Sequence, residues 1–172
     1  MAARRSAIVQ TDIFDPESEV EEGEEQQEEQ EEVVRMQPEV TEWCSCGNCA
    51  TMPTEQENVC CREIPQVLRR MQQVDDHMTC MLDHPGLEPV CLNPYSLQRE
   101  FNHYRANYGR LQIRGIEKRF SYVGYRSFVG WCWGFLGWRV RVVVPACVVL
   151  RIRREFPDPE GRYVGFKLPP LD

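Results

Sequence analysis

This 172-residue sequence predicts a mostly α domain with short β elements, an irregular α+β fold stabilised by a cysteine-rich zinc cluster. Three observations carry that expectation. Five of the nine cysteines fall between Cys44 and Cys61, in a segment with almost no apolar periodicity of its own. Later segments carry helix-start residues followed by apolar side chains at helical spacing. Only Arg139-Val140-Arg141-Val142 alternates as a strand does.

The charge divides the chain into two parts. Residues 1–42 hold 14 acidic and 3 basic side chains, a balance of −11. Glu21 to Glu32 has no hydrophobic face and repels itself, so residues 1–42 read as a disordered acidic tail. Residues 43–172 hold 13 acids and 17 bases, a balance of +4, and read as the folded domain.

Within that domain, Trp43 to Cys61 reads as loop with one or two helical turns. Pro65 suits the first position of a short helix, Gln66 to Val74, with Val67, Met71 and Val74 near one face. Cys80, His84-Pro85-Gly86 and Cys91 follow in a turn-rich link. Asn93-Pro94 is the strongest local signal, with Asn as N-cap and Pro at the first helical position. Leu97, Phe101, Tyr104 and Tyr108 then share a face, Arg99, Asn102 and Arg105 point outward, and Gly109 closes the helix. A second long helix runs from Glu117 to about Trp133, with Phe120, Gly124, Phe128 and Trp131 facing inward. Pro145 starts a last helix through Cys147, Val148 and Ile152, which stops before Pro157.

A cysteine loop that cannot fold by packing needs its sulfurs held, by disulfides or by a metal. The sequence favours the metal. Met1 to Val9 contains no secretory apolar core, so nothing points to an oxidising compartment, and the expected location is cytoplasmic. Nine is an odd count for a disulfide framework. Zinc accepts the short Cys-x-Cys and Cys-x-x-Cys spacings of Cys44, Cys46 and Cys49, because a turn at Gly47 can aim the sulfurs inward. Cys60-Cys61 can then serve one metal each, or two metals sharing a thiolate.

Several functions are excluded or weakened. The longest uncharged piece of the apolar region, Ser127 to Trp138, falls short of the roughly 20 residues of a spanning helix. His77, His84 and His103 are candidate ligands or bases, but each lies in a polar setting and none has His-Glu-x-x-His spacing. A zinc saturated by cysteine leaves no open position for a reacting water, so the chain is not expected to be an enzyme. Arg139, Arg141, Arg151, Arg153 and Arg154 make a modest basic patch without a strong nucleic-acid signal. The Trp131–Trp138 cluster with Cys132 reads as aromatic core, with an acylated, peripheral membrane contact as the competing reading.

Trp43-Cys-Ser-Cys-Gly-Asn-Cys49, Cys60-Cys61-Arg62, Gly124-Tyr-Arg-Ser-Phe128, Pro145-Ala-Cys147, Arg151-Ile-Arg-Arg-Glu-Phe-Pro157 and Tyr163-Val-Gly-Phe166 occur in that order. Together they resemble the cytosolic C-terminal (ballast) domain of the ATP-gated purinoceptor channel, subtype seven, over about residues 43–167. The resemblance implies a helical domain with a two-zinc cluster. Its ligands carry over onto Cys46, Cys49, Cys60, Cys61, Cys80 and Cys147, with Cys44 either a further ligand or an acylation site. It also implies a guanine-nucleotide site, of which Tyr125, Val142 and Val144 survive. The expected phosphate contacts are replaced by Ser121, Tyr122, Val149 and Asp158. The expected function is therefore a zinc-binding interaction or regulatory module with an unidentified protein partner. The alternatives are a GDP/GTP sensor, or a fragment or paralogue working with a channel subunit in purinergic signalling.

Overall fold

The computed structural model describes residues 39–111, 113, 115–134, 136 and 140–163. The sequence expectations for residues 1–38, Phe135, Trp138, Arg139 and Phe166 lie outside them. Five α-helices are described: α1 (Val40–Trp43), α2 (Pro65–Gln72), α3 (Pro94–Tyr108), α4 (Ile116–Trp133) and α5 (Ala146–Glu155). Short 3-10 turns lie at Glu55–Glu57, Cys61–Glu63 and Met81–Asp83, and a π-helical turn at Glu88–Leu92.

Each helix starts for a local reason. Pro65 and Pro94 occupy first-turn positions where a missing N–H costs nothing. Asn93 caps α3, its Oδ1 accepting from Tyr95 N at 2.9 Å and Ser96 N at 3.3 Å. Gly109, with φ of 84°, ends α3. Pro145 precedes α5 rather than opening it.

Phe128 of α4 is fully buried, with Leu97 from α3, Val67 and Met71 from α2, and Val148 and Ile152 from α5 in the same core cluster. Gly124 lets α4 approach the π-helical turn, since a Cβ there would stand 2.9 Å from the Cys91 carbonyl oxygen. Trp131 and Trp133 flank Phe128 edge-on, with ring centroids 6.3 and 6.2 Å away. Cys132 is buried with them, which removes it as a surface acylation site.

Three expectations change. Val74 falls beyond α2 and is 50% exposed. Tyr108 is 48% exposed, covering Tyr104 rather than entering the core (centroids 5.2 Å apart). No strand forms among the described residues; Val140 and Arg141 make isolated bridges only. The fold class is mostly helical, and among the described residues the anticipated β elements are reduced to these bridges.

Candidate metal centre

The cysteines reach one place from five directions. Cys44 ends α1, its N–H bonding back to Val40 O at 2.9 Å. The chain then turns at Gly47, whose φ of 80° lies in the left-handed region, and brings Cys46 and Cys49 side by side. Cys60 caps the turn Cys61–Glu63, with the Glu63 carboxylate accepting from its N–H at 3.4 Å. Cys80 caps the turn Met81–Asp83. Cys147 lies in the first turn of α5, and Ala146 N bonds to Val59 O at 2.9 Å. That bond moors the start of α5 beside Cys60.

Two four-sulfur groups result. Cys44, Cys46, Cys49 and Cys60 form one; Cys46, Cys61, Cys80 and Cys147 form the other. Within each group all four Sγ atoms lie within 4.8 Å of one another. Tetrahedral zinc with bonds of about 2.3 Å spaces its sulfurs about 3.8 Å apart. The Cys44–Cys46 and Cys46–Cys49 separations are 3.7 and 3.6 Å. None of the nine cysteines is in a disulfide. The donor set and its spacing therefore fit two ions, with Cys46 common to both groups. Cys44 stands with the ligands, which argues against its use as an acylation site.

Backbone N–H groups surround these sulfurs. Leu82 N donates to Cys80 Sγ at 3.4 Å. Cys60 is approached by the N–H groups of Arg62 and Ser45, and Cys44 by those of Cys49 and Gly47. Such donors offset thiolate charge, as do the positive starts of helical segments. The protons are divided unevenly. The Cys60 thiol is driven strongly down by S–H donation from Cys49, then Cys61. That of Cys80 falls to about 2, through Cys147 and then Cys61. Cys147 is driven far up by its contacts with Cys49, Cys61 and Cys80. Burial, more than any neighbour, lifts Cys46 to about 12. Sulfurs this close cannot all ionise together; a divalent cation would replace the shared protons and let them do so.

The histidines take no part. His84 Nδ1 accepts from Gly86 N at 2.8 Å, so Nε2 carries the proton and donates to Arg70 O at 3.2 Å. Its ring also stands edge-on to Trp131, 4.8 Å between centroids. Both nitrogens are engaged in holding the fold, which corrects the reading of His84 as a ligand or base. His77 and His103 are exposed.

The expected nucleotide residues meet a different environment. Tyr125 and Val144 pack on a small apolar cluster of Met52, Ala146 and Val149, and Val142 is half-buried nearby in sequence. Burial raises the Tyr125 phenol, against the opposing pull of the nearby Arg153 charge. The four substituted positions are absorbed into the fold. Ser121 Oγ donates to Phe156 O at 3.0 Å, Tyr122 stacks edge-on against Tyr104, and Val149 is buried. Asp158 is buried too, its carboxylate accepting from Arg162 N at 2.8 Å and Glu160 N at 3.4 Å, with Lys118 Nζ 3.6 Å away.

Spacing pointed to the cysteines, but not to which sulfur the two groups share. Nor did any local signal announce the Ala146–Val59 bond, because it joins residues far apart in sequence.

Known proteins carry the same pattern. The model of the family described as the P2X purinoreceptor 7 intracellular domain matches residues 2–167. The P2X purinoceptor 7 of Rattus norvegicus is 28% identical over 133 residues, covering 74% of this chain and 20% of the rat protein. That of Mus musculus is 30% identical over 132 residues, with the same shares. The chain thus spans about a fifth of the length of these relatives. Among the described residues, no helix is long and apolar enough to cross a membrane. The match begins at residue 2, ahead of the first cysteine, and so extends over most of the acidic segment as well. The chain belongs to the P2X purinoreceptor 7 intracellular-domain family.

Proposed function

We propose that this chain is a cytoplasmic, zinc-stapled interaction or regulatory module without enzymatic activity, formed by residues 43–172 behind an acidic tail of residues 1–42. The observation that carries the reading is the pair of four-sulfur groups sharing Cys46, one of them closed by Cys147 from α5. Zinc held by Cys44, Cys46, Cys49 and Cys60, and by Cys46, Cys61, Cys80 and Cys147, supplies cross-links rather than a reactive centre. Four sulfurs fill a tetrahedral ion and leave no position for a substrate water. The family's intracellular setting agrees with reduced cysteines. A protein partner, with a purinoceptor channel subunit as the first candidate, is what a rigid module of this kind serves.

Metal analysis of the purified chain tests the reading. Two zinc ions per chain are expected; fewer than one sinks it. A guanine-nucleotide sensor is the alternative, and no observation favours it, because Ser121, Tyr122 and Asp158 are spent on internal contacts. Titration with GDP and GTP decides between them. A Kd in the micromolar range that weakens at least tenfold on Tyr125→Ala would revive the alternative.

A further inference from the structure

One face of the molecule, built by α3 and α4, contributes no sulfur to the two groups, and its rings Phe101 and Tyr122 lie at the edge of the core. The Arg126 guanidinium lies 4.8 Å from the Tyr104 ring centroid, 5.5 Å from that of Tyr108 and 6.0 Å from that of Tyr122. Those of Arg105 and Arg119 lie 5.8 and 5.7 Å from the Phe101 ring. Arg99, Arg105, Arg110 and Arg119 are all exposed. Among the described residues none of these five pairs with a carboxylate; Arg119 Nε donates instead to Ile113 O at 3.0 Å. Rings therefore hold Arg105, Arg119 and Arg126, and no carboxylate among the described residues neutralises any of the five. By sequence, residues 94–134 carry seven basic side chains against Glu100 and Glu117, a local balance of +5.

We propose that this face docks the chain's own glutamate-rich segment, residues 17–32. That segment holds ten glutamates in sixteen positions and no basic residue. Crowded carboxylates repel one another, and guanidiniums already positioned on rings relieve that repulsion at little entropic cost. Reach sets no limit. The twenty-two residue steps from Glu17 to Glu39 span up to about 70 Å when extended, against a radius of gyration near 14 Å for a domain of this size. Tethering raises the effective concentration to the millimolar range, so the segment outcompetes nucleic acid or anionic lipid for the same cations. The inference is independent of the metal reading.

The test uses the full chain, compared with a variant in which the ten glutamates of 17–32 are glutamine, which changes nothing within the described fold. At 50 mM salt the wild type gives the smaller radius of gyration by solution scattering, and several-fold slower amide exchange over residues 99–110. At 500 mM salt the two chains coincide. The glutamine variant binds poly-U RNA or phosphatidylserine vesicles at least tenfold more tightly than the wild type. Arg105→Glu with Arg119→Glu abolishes low-salt compaction, and adding Glu→Lys at positions 21, 22, 24 and 25 restores it. Identical scattering and exchange for wild type and glutamine variant at 50 mM salt would overturn the proposal. So would equal polyanion binding by both, because the face would then be open in the wild type.

Discussion

Gly124 shows how little room the core leaves. A methyl group there would meet the Cys91 carbonyl at 2.9 Å and Ile152 Cγ2 at 3.4 Å, and the first of these is backbone that cannot swing aside. Gly124→Ala should cost about 1–3 kcal/mol, as overpacked core sites do, read as a lower urea midpoint with unchanged slope. The sequence places Gly124 on an inward face but not against a particular carbonyl, since the contact joins segments about thirty residues apart. His84 gives a second prediction. Burial, then the nearby Arg70 charge, lowers its pKa from 6.5, against a bond to the Arg70 carbonyl that favours the charged form. Below the unfolded value the unfolded chain binds more protons than the folded one, so this group's stabilising contribution is whole above about pH 6.5 and lost as pH falls toward the folded pKa. Imidazole resonances followed by NMR should titrate with a midpoint below 6.5, and His84→Gln should flatten that part of the pH–stability curve.

Elements were legible where their signals are local. Asn93-Pro94 and Gly109 bound α3 as the sequence indicates, because a cap needs only its own first turn. Asn93→Ala should remove two accepted bonds and lower stability by about 1 kcal/mol, measured as a fall in Tm of several degrees. The π-helical turn Glu88–Leu92 was not legible, because it is fixed by packing against α4 rather than by its own residues. The alternation at 139–142 misled for a related reason. A strand needs a ladder of successive pairings, and Val140 and Arg141 make only isolated bridges. The turn Cys61–Glu63 carries a local signal too, since Glu63 sits where a capping carboxylate belongs.

At the scale of the molecule, sulfur joins apolar packing in linking the first and last parts of the domain. If metal occupies both groups, its binding energy is folding energy, on the order of 10 kcal/mol for a structural zinc. Chelation should then unfold the domain cooperatively, seen as simultaneous loss of the helical circular-dichroism signal and of near-ultraviolet tryptophan signals. Cys147→Ser should lower global stability by more than about 3 kcal/mol, and hydrogen exchange should speed up in α2 and α4 as well as in α5. A change confined to α5 would count against the staple.

The Ala146–Val59 bond and the position of Cys147 also give the molecule an order in time. Cys44, Cys46, Cys49 and Cys60 lie within seventeen residues and can gather as soon as that stretch leaves the ribosome. The second group has to wait for α5, whose Cys147 lies 87 residues beyond Cys60. Metal loading on the proposed centre is therefore sequential: a local ion first, then one that registers completion of the domain. A chain cut before Cys147 keeps the means to bind one ion and lacks the means to bind two. Metal content would then distinguish finished molecules from partial ones.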